Sequence, residues 1–481
     1  MLETASTSNK ITPRQTPRRG HAWPLARVGV RAFACRRGLV SHQAGTPARP
    51  SCASYTEPRA KTHPAVISAH EGCICIPYDS RPQTLGAGSA SIRKNGHPPS
   101  SIEPGFNVNT SIQPAHRLTL HSIQLRVVSV PLRRPIVSNP TVGKYTEWPF
   151  ILVDLLTNEG ITGRSYLEPY VVKSADYILP AIQAIADAVR SKPLAPLDSH
   201  KAAVQAMHLS GREGIGLAAI SAVDMAIWDA VSKAAGQPLA QYLGASTEPV
   251  RAYNTNGLWL LPPEQLHDEA LALVAEGNFS AIKMRLGREK FRADVAALDA
   301  VRSAVGADVR IMTDFNQGLD LGEALLRLHA LDGEGLQWFE EPIAYDNFDG
   351  CAQLARELKT PIQIGENLYG PRSFYKAVQA HAADLYMPDL MRIGGVTGFM
   401  RCAAIAGAAG LPLSSHLYPE VSAHLLRASE STHWLEWRDW AHPFIAQPFE
   451  VMDGAVHVPD RPGSGIEWDE AAVKKMLVHS R

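Results

Sequence analysis

Four acidic residues divide the second half of this chain at nearly equal intervals: Asp314 in IMTDFNQ, Glu340 in WFEEP, Glu366 in QIGEN and Asp389 in MPDLMRIGG, separated by 26, 26 and 23 residues. Each closes a short apolar run. One strand plus one returning helix takes about this length, since eight such units make a barrel of roughly 250 residues. Strand ends in such a barrel face the mouth where the chemistry sits, so the spacing predicts three or four carboxylates converging there. Converging carboxylates need a cation, and oxygen ligands without cysteine suit Mg²⁺, with Mn²⁺ as the alternative, rather than Zn²⁺.

The formal charge of zero over 481 residues hides an asymmetry. Residues 1–116 hold 14 Lys/Arg against 5 Asp/Glu, a net of +9, so the remainder carries −9. That first segment also holds 13 of the 35 prolines and shows no sustained period of 2 or 3.6, the composition of an unfolded extension. It is read as a translated upstream region of a cytoplasmic protein, with an organelle (mitochondrial) targeting segment as the alternative. Four of the six cysteines lie in it, leaving Cys351 and Cys402 in the folded part, which argues against a disulfide scaffold. No apolar run is read as approaching the roughly 18 residues of a membrane span, and the extension lacks the interleaved aromatics of a nucleic-acid-binding arm. Neither partner is expected.

Regular patterning begins near Leu118. HSIQLRVVSVPL alternates like a half-buried strand, and PFILVDLLTNEGITGRSYL reads as two strands about the turn Asn158-Glu159-Gly160. ADYILPAIQAIADAVRS and GIGLAAISAVDMAIWDAVSKAAGQ carry helical apolar spacing. Residues 117–245 are therefore expected to form an α+β domain. Eight barrel strands follow within 246–442: VRAYNT, AIKMR, IMTD, QWFE, IQIGE, LYMPD, LPLSSH and HWLE. The segment 443–481 contains PFEVMDGAVHVPDRPGSGIEW, expected to return as a hairpin onto the first domain.

On this layout Asp314, Glu340 and Glu366 end consecutive strands and each offers oxygen to one divalent cation, with Asn316 orienting Asp314. Such a cation binds a substrate carboxylate and stabilises the enolate formed when the α-proton leaves. Asp389 and His416 end neighbouring strands, so a carboxylate would fix the imidazole tautomer and prepare a general base. Lys283 and Arg285 alternate along one strand and share a face. Lys283 would support negative charge, whereas a guanidinium keeps its proton above about pH 12 and is a poor base. Glu436 is the candidate protonated acid donating to the enolate.

The motifs IKMR, MTDFNQ, WFEEP, IGEN, MPDLMRIGGVTG, LSSHLYPEVSAHLL and HWLE, in this order, resemble the mandelate racemase subgroup of the enolase superfamily. The resemblance runs from Leu118 to the C-terminus. It implies a (β/α)7β barrel with an α+β capping domain, Mg²⁺ on Asp314, Glu340 and Glu366, a His416–Asp389 base, and Lys283 and Glu436 as enolate stabilisers. It also implies a homo-oligomer, often an octamer. Mandelate racemases carry Lys-x-Lys where this chain has Lys283 and Arg285, so one of the two bases that racemisation requires is replaced. Thr255 stands where relatives have a substrate-contacting serine. Glu168 and Arg438 stand where an aryl ring would meet apolar side chains, and Arg133 and Arg134 lie in the lid segment. A polar pocket suits a polyhydroxylated or dicarboxylic acid, although Tyr170, Trp148 and Trp259 keep an aromatic wall available.

These readings converge on a Mg²⁺-dependent dehydratase converting an acid sugar to a 2-keto acid. A racemase or epimerase of a 2-hydroxy acid is the alternative, and an inactive metal-binding relative the minor one.

Overall fold

The alternating run after Leu118 becomes β1 (Leu120–Val137), which pairs antiparallel with β2 (Lys144–Thr157), itself antiparallel to β3 (Thr162–Leu167). The computed structural model describes residues 118–480 apart from 140–142 and 191. The extension read over 1–116 lies outside the described residues. Helices α1 (Ala175–Val189), α2 (Pro196–Ala206) and α3 (Ile215–Ala234) complete the α+β unit, α3 lying on β2 and β3. The close approach depends on Gly163, where a Cβ would sit 2.0 Å from the Ala226 carbonyl oxygen.

By length and apolarity α3 matches a membrane span, contrary to the expectation that no apolar run comes near one. Its apolar character has another use here, because 89% of its most apolar window is buried inside the protein.

Seven βα units then build the barrel. Parallel strands β4 (Val250–Asn254), β5 (Ala281–Arg285), β6 (Arg310–Asp314), β7 (Phe339–Glu340), β8 (Ile362–Ile364) and β9 (Leu385–Tyr386) follow in spatial order. The expected seventh strand, LPLSSH, has no continuous ladder. It is held by bridges from Leu413 to Tyr386 and Thr432 and from His416 to Asp389. β10 (Leu435–Trp437) closes the ring on β4. Tyr253, Met312, Trp338, Leu385 and Trp434 fill the interior beneath the mouth, as expected of a packed barrel. The chain therefore has the (β/α)7β barrel and α+β cap.

The C-terminal hairpin corrects one expectation. β11 (Glu450–Met452) and β12 (Ala455–His457) join the barrel sheet rather than the cap, through Val456 to Val250 and Ala455 to Arg251. The reason is an unpaired edge: β10 covers only Ala252–Asn254 of β4, leaving its first two residues free for β12. The rest of the segment does return to the cap: the Ser464 N–H donates to Asp229 at 2.7 Å, Trp468 Nε1 donates to Asp154 at 2.8 Å, and β13 (Leu477–Ser480) pairs with β1.

Candidate active site

Parallel register sets the mouth. Arg285 lies opposite Asp314 and Asp314 opposite Glu340, so three charged side chains occupy one row across β5, β6 and β7. Glu366 stands two residues beyond the end of β8. One carboxylate oxygen from each of Asp314, Glu340 and Glu366 lies within 4.8 Å of the others, and all three residues are buried. An all-oxygen donor set of this spacing fits a hard divalent cation. Each ligand is also aimed by a neighbour. Asn316 donates to Asp314 through its backbone N–H (2.8 Å) and its Nδ2 (3.0 Å), Trp338 Nε1 donates to Glu340 (2.9 Å), and Asn367 Nδ2 to Glu366 (3.1 Å). Burial lifts Glu340 well above the ordinary carboxylate range, Lys283 opposing and Asp314 and Glu366 reinforcing the shift. Such crowding disfavours three anions together unless a cation joins them. Trp338 and Asn367 were not singled out from the sequence, although both adjoin the acids in WFEE and GEN.

Lys283 is wholly buried with its Nζ 2.5 Å from Glu340, 2.8 Å from Glu436 and 3.4 Å from Asp314. Burial alone would lower its pKa, but Glu340, Glu436 and Asp314 outweigh that and raise it. Lys283 is thus a fixed ammonium. Glu436 differs from its expected role. Burial pushes its pKa up, yet Lys283, His416 and Arg438 together hold it well below the usual range. It also accepts from the Leu417 N–H at 3.1 Å. The side chain is therefore an ionised acceptor that orients Lys283, not a protonated donor, because an ammonium stands directly against it.

Arg285 lies beside Asp314 at the side of the mouth. Its Nη1 donates to the carbonyls of Thr255 (3.2 Å) and Gly257 (3.1 Å), its guanidinium lies 3.9 Å from the Trp259 ring centroid, and Nε is 3.8 Å from Asp314. The guanidinium is clamped into the wall rather than reaching freely into the mouth. Thr255 meets Arg285 through its carbonyl, while its buried Oγ1 has no partner among the described residues.

His416 and Asp389 come together as expected, Nδ1 to Oδ2 at 2.7 Å. His416 Nε2 faces the metal trio, 3.2 Å from Glu366 and 3.8 Å from Glu436. Burial would depress this imidazole, but the carboxylates of Glu366, Glu436 and Asp389 outweigh it and raise its pKa. Asp389 serves twice, since its Oδ1 also caps the short helix Leu390–Ile393 by accepting from the Arg392 N–H at 3.0 Å.

Glu168 and Arg438 meet each other, at 2.6 Å, and Trp148 Nε1 donates to the same Glu168 oxygen at 2.7 Å. Arg438 lies over Trp440 at 3.5 Å. Tyr170 holds φ +66° across a turn closed by Val171 N–H to Pro169 O at 2.8 Å, a strained conformation for an aromatic residue. Its Oη accepts from Arg392 Nη2 at 2.7 Å, and Arg392 Nη1 in turn donates to the Glu366 carbonyl at 3.2 Å. Arg133 and Arg134 instead line a separate cavity of about 340 Å³ with Asn256, Asp439, Trp440 and His442. There they pair with Asp439 and Glu276.

Residues 122–244 match the mandelate racemase/muconate lactonizing enzyme N-terminal domain, and residues 265–472 match the enolase C-terminal domain-like family. An enolase from alpha proteobacterium bal199, crystallised with magnesium, is 48% identical with a TM-score of 0.73, over 75% of this chain and all (100%) of that one. The chain belongs to the mandelate racemase/muconate lactonizing enzyme family of the enolase superfamily. Among its relatives, a Bradyrhizobium enolase complexed with magnesium and mandelic acid is 36% identical with a TM-score of 0.72, over 76% of this chain and 99% of that one. L-Talarate/galactarate dehydratase of Salmonella typhimurium is 35% identical over 262 residues, 54% of this chain and 66% of that protein. The cofactor of this family member is Mg²⁺, which the Asp314, Glu340 and Glu366 trio suits.

Proposed function

We propose that this protein is a hydro-lyase that removes the α-proton of an acid sugar and expels its β-hydroxyl, yielding a 2-keto acid. The observation that carries the reading is the state of Arg285. A base on the second face would have to stand there, and the side chain present is a guanidinium, a poor base by type, that donates to two backbone carbonyls and lies over the Trp259 ring. Only one face of the α-carbon then has a base.

When bound by Asp314, Glu340 and Glu366, Mg²⁺, or Mn²⁺ in its place, supplies positive charge to the substrate carboxylate as the α-proton leaves. His416 Nε2 takes that proton, because Nδ1 is already committed to Asp389. Asp389 then stabilises the imidazolium. The same imidazolium gives its proton to the β-hydroxyl, which departs as water, and the resulting enol tautomerises to the 2-keto acid. Lys283 Nζ supports charge on the enolate oxygen, and Glu436 keeps that ammonium in place at 2.8 Å. Thr255 and Asn316 border this mouth. Glu168 and Arg438, paired and buried, present a polar end that suits hydroxyls of a polyol chain, with Tyr170 beside them. The protein is read as cytoplasmic and homo-oligomeric, as an octamer in the family's pattern, with a small carboxylate as its only substrate partner.

A racemase or epimerase of a 2-hydroxy acid is the competing function. The aromatic edge formed by Trp148, Tyr170 and Trp440, with ring centroids 5.1–5.2 Å apart, favours it, as does a relative that binds mandelic acid. The deciding experiment incubates the protein with Mg²⁺ and a panel of acid sugars plus both mandelate enantiomers, reading 2-keto acid formation. Keto acid from a sugar acid, abolished in His416→Asn, supports the lyase. Interconversion of mandelate enantiomers without keto acid refutes it.

A further inference from the structure

The turn that carries Asp389 is gripped from outside the barrel by the capping domain. Asp389 caps Leu390–Ile393, and the chain then turns through Gly394 (φ +101°) and Gly395 (φ +68°) into the helix Gly395–Ala409. Helix α3 of the cap reaches this turn at two points. Ser221 Oγ lies 2.8 Å from the Met391 carbonyl. Asp224 accepts from the Thr397 N–H at 2.9 Å and from Thr397 Oγ1 at 2.7 Å. The carboxylate is buried, with His200 Nδ1 3.2 Å from its Oδ1, while Trp228 Nε1 donates to Thr397 Oγ1 at 2.9 Å. There is no slack in this contact: a Cβ on Gly395 would stand 2.6 Å from Asp224 Oδ2.

The opposite side of α3 holds β3, through Ser165 Oγ to the Ala222 carbonyl at 2.8 Å and the Arg164 N–H to Asp229 at 2.7 Å. β3 runs directly into Glu168 and Tyr170. One helix therefore ties the strand leading to the polar pocket to the turn leading to the dyad. None of its side chains enters the metal trio, and a buried carboxylate accepting several hydrogen bonds is far more specific than packing alone requires.

We infer that Asp224, with Ser221 beside it, is a positioning residue for the proton-transferring pair: by holding Thr397 and Met391 it sets where Asp389 meets His416 Nδ1. The inference rests on the reading of His416 as the base. A misplacement of about 1 Å at such a pair costs on the order of 100-fold in rate, so a bond network remote from substrate can govern turnover without touching affinity.

The test uses the full chain loaded with Mg²⁺ and reads the hydrogen-bonded Nδ1 proton of His416 by NMR, which needs no substrate. Asp224→Asn should shift or erase that resonance and lower turnover of the acid sugar roughly 10- to 100-fold. KM, Mg²⁺ affinity and near-ultraviolet circular dichroism should stay as in the wild type. Thr397→Ser, which retains the hydroxyl, should behave as wild type. Should Asp224→Asn not fold, Ser221→Ala and Thr397→Val carry the same reading, since they remove one polar group each. A His416 resonance unmoved in the folded variants overturns the inference, as does a rate loss matched by an equal loss of Mg²⁺ affinity. Failure of the base reading itself would appear elsewhere, as full turnover in His416→Asn.

Discussion

Replacing Asp389 with asparagine alters one atom of the site and has a calculable consequence. The introduced amide can keep its oxygen on the Arg392 N–H, at the 3.0 Å contact that caps the following helix, which places its NH₂ group 2.7 Å from His416 Nδ1. Nδ1 must then accept, so the imidazole proton moves to Nε2, the atom facing the metal trio, and the base is lost. A carboxylate-to-amide change beside a catalytic imidazole costs about 10⁴-fold in such a case. Flipping the amide restores the acceptor but gives up a helix cap worth about 1 kcal/mol, together with the charge that stabilises the imidazolium. The two conformers bracket the expected fall in kcat between about 10²- and 10⁴-fold, or about 2.7–5.5 kcal/mol of barrier. The pH profile moves as well. Asp389 is among the carboxylates that raise the wild-type imidazole against its burial, so its charge helps to set the pH limb along which activity rises as His416 loses its proton. In Asp389→Asn the midpoint should move to lower pH. Keto acid release measured across pH checks both effects, and a variant within about tenfold of wild type with an unmoved acid limb would refute the dyad.

Three further outcomes are expected. Arg285→Lys exchanges a clamped guanidinium for a titratable amine on the second face, so recovered substrate should begin to show inversion at the α-carbon, while loss of the two carbonyl contacts near 3.1–3.2 Å lowers thermal stability; chiral chromatography and a melting curve read the two changes. Buried Glu420, raised from 4.5 to about 7 chiefly by burial, keeps in the folded state a proton that the unfolded chain releases, so its contribution to stability is present below pH 4.5 and lost as pH rises through about 7. Glu420→Gln should remove that slope and leave the variant more stable at about pH 8 by up to roughly 3 kcal/mol, as urea unfolding at several pH values would reveal. Chelation with EDTA should abolish turnover and lower the melting temperature, and Mg²⁺ at about 100 times its Kd should restore about 2.7 kcal/mol; a melting curve indifferent to Mg²⁺ would contradict the site at Asp314, Glu340 and Glu366.

The barrel was readable because its period is local. A strand and its returning helix repeat within a short window, and every strand end after the first carries an acid, a lysine or a histidine whose register follows from the alternation. Asp314, Glu340, Glu366 and the pair of Asp389 with His416 were therefore found from spacing and motif together, and the structure brings them to one mouth. What spacing does not encode is the partner of a side chain across elements distant in sequence. Glu168 and Arg438 are 270 residues apart and neutralise each other. Glu436 was expected to hold a proton because no reading of HWLE alone places an ammonium 2.8 Å away. The hairpin after Trp440 was assigned to the cap because the two residues left uncovered on β4 are a property of barrel closure, not of the hairpin's own sequence. Likewise, α3 reads as an apolar helix, and the value of Ser221 and Asp224 within it emerges only once the turn at Gly394 and Gly395 lies against them.

The central claim is that one face of the α-carbon has a base and the other does not. Partial conversion of the preferred acid sugar in D₂O with Mg²⁺, followed by isolation of the unreacted acid, tests it most directly. The account predicts 2-keto acid as product and recovered substrate of unchanged configuration at the α-carbon. Recovered α-epimer carrying deuterium, formed as fast as keto acid, would mean that Arg285 or a group near it works as a second base, and the lyase mechanism would fall.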